Sequence, residues 1–158
     1  ISRFPDYALA RESLVKLLLE QGKQLQANNI IQIGLQQHPF YAPYAELKAR
    51  ILVDEGKIDD AISLLQKAAP SVNNNPQYHA FIAALYQKQG KSTLAAQLYE
   101  QLLPLEPDNS VWWMGLGIAY EDLGKHNEAI QAYARANNSD KLSPELRAYV
   151  ETRMHSLQ

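Results

Sequence analysis

The chain has 158 residues, 46% of them hydrophobic and 20% charged, with a net charge of −2 spread evenly along it. That length can bury a sizeable core, one domain is the default, and the lack of a basic stripe argues against nucleic acid as a partner. The absence of cysteine excludes disulfides, thiolate metal sites and cysteine nucleophiles in any compartment, and no apolar run approaches the ~20 residues of a membrane span. The sequence starts at Ile1 rather than Met, so a longer protein is expected, and any link to a membrane would run through a segment absent from this chain.

A first helix is expected over residues 6–21. Asp6 can cap it, Leu14, Val15, Leu17, Leu18 and Leu19 give it a broad apolar face, and Gly22 ends it. The second runs over 24–37 with Leu25, Ile30, Ile31 and Leu35 turned inward. His38-Pro39 stops it, because the residue before Pro avoids helical backbone. The same plan recurs with helices over 43–55 and 59–69, then 76–89 and 92–103, then 110–123 and 127–137. Pro43 and Pro76 suit a first helical turn, where the missing amide is not needed. Pro70 and Pro104 would each cost roughly 3 kcal/mol inside a helix, so the preceding helices end before them. Ser143-Pro144-Glu145 opens a ninth helix with a capping hydroxyl, Pro at the first position and an acid near the positive end. Leu146, Tyr149, Val150, Met154 and Leu157 line one face of it, as in the terminal cap a repeat array needs. No strand signal interrupts the pattern.

A ladder underlies this order. Gly22-Lys23, Gly56-Lys57, Gly90-Lys91 and Gly124-Lys125 recur every 34 residues, and Ala27, Ala61, Ala95 and Ala129 follow each Gly by five. A fixed period of this size marks stacked helix pairs. Gly would reverse the chain with left-handed backbone, and Ala would sit where two helices cross closely.

Trp113, Leu116, Gly117, Tyr120, Ala129 and Tyr133 in the fourth period resemble the tetratricopeptide repeat, whose pattern is W-x2-L-G-x2-Y, then A-x3-F and P. The third period has Ile82, Ala83, Tyr86, Ala95, Tyr99 and Pro107, the first Leu14, Val15, Leu18, Ala27, Ile31 and Pro39, the second Ala49, Leu52, Ala61 and Leu65. Arg11, Ala45 and His79 depart at the Trp position, and Asn73 and Lys141 at the final Pro, yet the phase never slips. The resemblance implies an all-α, right-handed solenoid of four helix-turn-helix repeats (about 8–41, 42–75, 76–109 and 110–143) and a capping helix over 144–158. It implies a non-catalytic scaffold that holds a protein or peptide segment in a groove lined by the first helix of each pair. Mapped onto this chain, the groove positions are Glu12, Lys16, Glu46 and Arg50, then Ala80, Ala84 and Gln87, then Met114, Ile118 and Glu121. The Glu-to-cation pairs at i, i+4 can equally neutralise one another. Some members grip acidic C-terminal chaperone peptides with a Lys/Asn clamp. Glu12 and Glu46 in the corresponding region would repel such a carboxylate, so no such binding is expected.

Residues 111–119 and 142–151 also resemble the C-terminal region of proteins that build the mannose-sensitive haemagglutinin (MSHA) type IV pilus. That implies a periplasmic domain of an inner-membrane-anchored protein, with other pilus-assembly proteins as partners. A repeat domain serving a larger enzyme such as a transferase, and a homotypic assembly module forming a homo-oligomer, are the alternatives.

Catalysis, cofactors and metals have no positive signal. Gly90-Lys91-Ser92 resembles the end of a phosphate loop, but position 85 is Leu85 where that loop needs Gly, so a helix turn with Ser92 as cap is expected. Gly115 and Gly117 lack the third Gly of a dinucleotide fingerprint and read as close packing. His38, His79, His126 and His155 do not pair at i, i+3 or i, i+4. The carboxylates of Asp54, Glu55, Asp59 and Asp60 flank one turn and read as solvated. Tyr44, Tyr78 and Trp112 repeat at the same period and read as core, since Tyr78 has Ile82 and Leu85 at i+4 and i+7.

Overall fold

The computed structural model describes residues 4–139 and 141–158, with side chains from Tyr7 onward. Among them the chain forms nine helices and no strand. They fall into two compact units, Ile1–Pro70 and Ser71–Gln158. The first holds α1 (Phe4–Glu20), α2 (Gln24–Gln37), α3 (Ala42–Asp54) and α4 (Ile58–Lys67). The second holds α5 (Pro76–Lys88), α6 (Ser92–Leu102), α7 (Ser110–Asp122), α8 (His126–Asn137) and α9 (Pro144–Leu157). The expected Asp6 cap lies outside the described side chains.

The Gly-Lys ladder has a two-part physical cause. Gly22, Gly56, Gly90 and Gly124 stand at φ of 71°, 77°, 71° and 71°, where a side chain would be strained. Each closes its helix with paired bonds: Gly22 N–H donates to Leu19 O at 3.0 Å and Lys23 N–H to Leu18 O at 2.8 Å, a Schellman motif. The lysine carbonyl then accepts the first bond of the next helix, from Ala27 N–H at 3.1 Å, and Ala61, Ala95 and Ala129 repeat this with Lys57, Lys91 and Lys125. All four alanines are fully buried. Gly ends one helix, Lys opens the next, and Ala is a fully buried position near its start.

Caps depart from expectation at one turn. Ser92 is a helical residue, not the cap of α6; its hydroxyl donates to Asp122 Oδ2 at 3.0 Å. The side-chain caps are Asn75, Asn109 and Ser143, accepting from Tyr78, Trp112 and Leu146 N–H.

The first unit centres on Val15, Leu18, Ala27, Ile31, Tyr44, Leu47 and Ile51. Gly34 of α2 lets the Tyr44 ring lie against the helix backbone, where an added Cβ would come within 2.6 Å of it. Leu14, Leu17 and Leu25 are exposed, against the inward positions expected of them. Leu25 shares its register position with Asp59, Thr93 and Asn127, all exposed, so that position faces water in every repeat. The second unit has a core of Ala129, Tyr133, Ala136, Leu142 and Val150. Gly115 faces the Tyr99 ring and Gly117 the Tyr133 ring, so both glycines are packing devices. Tyr44, Tyr78 and Trp112 are buried, as core residues should be.

Candidate interaction surface

The groove positions of the first unit converge. Helices α1 and α3 set Glu12, Lys16, Glu46 and Arg50 around a cleft of about 150 Å³, completed by Pro43 and Leu47. Lys16 Nζ lies 2.5 Å from Glu12 Oε1 and Arg50 3.8 Å from Glu46. Tyr41 Oη donates to Glu12 Oε2 at 3.4 Å. The hydrogen bond to Glu12 and then its charge raise the Lys16 ammonium above its ordinary value; burial, followed by Glu12, pushes the Tyr41 hydroxyl up. The pairs are asymmetric. Lys16 and Arg50 side chains are 56% and 62% exposed, the two glutamates only 17% and 28%. An exposed i, i+4 pair contributes about 0.3–0.5 kcal/mol, so a partner can redirect either cation at little cost.

The groove positions of the second unit are mostly engaged. Gln87 Nε2 donates to Gly115 O at 2.6 Å while its Oε1 accepts from Tyr99 Oη at 3.1 Å. Glu121 accepts from Tyr133 Oη at 2.8 Å and from Arg153 Nε at 3.1 Å, and pairs with the Arg153 guanidinium. Met114 and Ile118, expected to be open, are half-buried against the cluster that includes Leu142 and Val150. The reason is α9, which lays its apolar face over that end. Ala80 is half-buried and Ala84 exposed.

A cleft that sequence reasoning missed lies in the same unit. It encloses about 520 Å³, with Leu103, Pro104, Trp113, Leu116, Tyr120 and Arg135 in its lining. Tyr120 Oη donates to Glu100 Oε1 at 2.7 Å, and burial, followed by that bond, pushes its hydroxyl up to about 12. The Arg135 guanidinium stacks 5.7 Å from the Trp113 ring and Lys125 Nζ stands 5.5 Å from the Tyr120 ring. Trp113 and Tyr120 stand at family consensus positions and so read as packing alone.

The histidines are dispersed, His38 and His79 half-buried, His126 and His155 exposed. Among the described residues no three His, Cys, Asp or Glu gather as a metal site would require.

Helix pairs of constant period, closed by identical turns and carrying an open cleft on their first helices, define a repeat-built interaction protein. The chain belongs to the tetratricopeptide repeat family, whose sequence pattern matches residues 13–76 and 82–143. Such repeats bind protein or peptide partners and are generally non-catalytic. No curated protein matches the chain in sequence. Among solved structures, MamA residues 41 to the end from Desulfovibrio magneticus RS-1 is 15% identical with a TM-score of 0.76, over 96% of this chain and 89% of that one. Pseudomonas aeruginosa PilF is 19% identical at 0.79, over 97% and 68%. The Sgt2 TPR domain of Aspergillus fumigatus is 23% identical at 0.65, over 73% and 78%. At these identities the likeness establishes the fold alone.

Proposed function

We propose that the chain is a non-catalytic scaffold that holds a partner segment in the α1/α3 cleft. One observation carries the reading: four charged residues, at positions that the family resemblance maps to a groove, line a single open cleft with both cations outermost. An extended or helical segment that carries an apolar side chain between groups of both charges fits it, the apolar group meeting Pro43 and Leu47 and the charges meeting the two glutamate–cation pairs. The finer reading places the protein in type IV pilus biogenesis, as a periplasmic, membrane-anchored protein similar to MshN. The sequence likeness over 111–119 and 142–151 supports it, and the fold likeness to PilF agrees with it.

Capture from an extract of the source organism, followed by mass spectrometry, tests both levels. The wild-type chain should retain pilus-assembly proteins, and Lys16→Glu with Arg50→Glu should lose them at an unchanged thermal midpoint. Undiminished capture by the double variant would remove the cleft from the account. Retention of unrelated proteins, lost in the variant, would keep the cleft and remove the pilus. Acidic C-terminal chaperone peptides should show no heat of binding in calorimetry, because Glu12 and Glu46 stand beside both cations.

A further inference from the structure

The cleft beside Trp113 and Tyr120 stands where the fourth repeat departs from the other three. Ile30, Leu64 and Leu98 share one register position, and each is half-buried. The fourth repeat has Ala132 there, buried in the lining of the cleft. A side chain the size of Leu98 would stand in that space, so its replacement by a methyl group opens a trough between α6 and α8 with α7 beneath it. Trp113, Leu116 and Tyr120 face the trough from a different side of α7 than Met114 and Ile118.

The trough carries opposite charge at its two ends. Trp113 and Tyr120 on α7, like Glu128 and Arg135 on α8, are seven residues apart, about 10 Å of helix. At the Tyr120 end stand Glu128 and Glu100, the latter accepting the tyrosine hydrogen bond, with Lys125 over the ring offsetting one of them. At the Trp113 end Arg135 stacks on the indole. An adjoining cleft of about 350 Å³ shares Trp113 and Arg135 and adds Lys141, against one lining acid, Asp108.

We propose that this trough seats an amphipathic helix of a partner protein. Its apolar side chain meets Trp113, Leu116 and Ala132, a basic residue lies toward Glu100 and Glu128, and an acidic residue lies toward Arg135 and Lys141. Two observations select that occupant. An apolar trough flanked by helices is the shape that the apolar face of a helix fills. The spacing of the two charged ends, about 10 Å, is that of side chains at i and i+7 on one helix, with the residue at i+3 or i+4 between them on the same face. A segment of one charge sign would meet like charge at one end. The site is independent of the α1/α3 cleft, since every residue of it belongs to the second compact unit.

Selection from a phage-displayed library of helical peptides of about 15 residues, against the whole chain, tests this. Enriched peptides should carry a basic and an acidic residue seven apart with an apolar residue between them, and should change tryptophan fluorescence on titration. Ala132→Leu restores the side chain that Leu98 supplies one repeat earlier. The thermal midpoint should therefore hold, while the dissociation constant of those peptides rises by about tenfold or more as the trough fills. Glu128→Arg with Arg135→Glu, both at exposed positions, should weaken the same peptides and favour peptides with the two charges exchanged. Lys16→Glu with Arg50→Glu should leave them unaffected, so failure here and failure of the α1/α3 cleft are read separately. The proposal is overturned if no peptide is enriched, if the enriched peptides lack the charge pattern, or if they bind the Ala132→Leu chain and the charge-exchanged chain as tightly as the wild type. A concentration-dependent dimer in sedimentation that Ala132→Leu abolishes would also overturn it, by making a second copy of the chain the occupant.

Discussion

An alanine at position 115 would place its methyl carbon 2.5 Å from the Tyr99 ring. Two effects compete. Replacing Gly by Ala inside a helix gains about 1 kcal/mol of propensity, while overpacking costs about 1–3 kcal/mol. Tyr99 is only 5% exposed and its hydroxyl is held by Gln87, so the ring has nowhere to retreat. Gly115→Ala should therefore lower stability in a urea titration, and Tyr99→Leu in the same chain should recover part of the loss. Tyr99 also gives alkaline stability a direction. Burial pushes its hydroxyl up to about 12, against an ordinary value near 10. Between those values the unfolded chain has released the proton and the folded chain retains it, so stability falls as pH rises from about 10 to about 12. Tyr99→Phe should flatten that slope in denaturant titrations stepped through the window; an unchanged slope would place the alkaline loss on other groups. Part of this residue chemistry was legible. The Gly and Ala rungs could be read because repetition averages out noise at four equivalent positions. Gly34 could not, since its partner Tyr44 enters from another helix and no rung repeats it.

The helices themselves were legible to within a residue or two at each end, because Pro, Gly and apolar spacing act locally. What each helix covers was not. Leu14, Leu17 and Leu25 satisfy helical periodicity, but whether such a residue is buried depends on a neighbour supplied by the fold. The same limit explains the mixed account of the groove. The family resemblance grouped Glu12, Lys16, Glu46 and Arg50, which line one cleft, but left open whether the capping helix covers Met114 and Ile118. Arg153 and Val150 anchor that helix, and neither carries a motif. Had Met114 been open, a charge there would have left folding untouched. Met114 is half-buried against the same cluster as Leu146 and Met154, so Met114→Glu should desolvate a carboxylate and lower the thermal midpoint. Leu14→Glu, on an exposed face, should leave the midpoint within error. Equal midpoints for the two variants in a thermal melt followed by circular dichroism would mean that α9 does not hold that surface.

At the scale of the chain, the division at Pro70 matters for how it unfolds. Each helix pair buries its face only against its neighbours, so repeat stability is a sum of local terms, and cooperativity weakens wherever the coupling between units is small. Pro70 follows the end of α4, and the turn over residues 71–75 precedes the Asn75 cap of α5, so helical backbone is interrupted there. The two tryptophans, Trp112 and Trp113, both lie in the second unit, so their fluorescence reports that unit alone while circular dichroism reports both. The two signals should therefore give different midpoints in guanidinium, the signature of a transition that is not two-state. Ala95→Leu sharpens the test. Ala95 is fully buried in the second unit, and overpacking it should cost about 1–3 kcal/mol. The fluorescence midpoint should move to lower denaturant by the whole of that loss. The circular dichroism curve should split, keeping its first-unit component where it was. If both probes instead shift together and stay coincident, the two units fold as one cooperative body and the break at Pro70 has no energetic consequence.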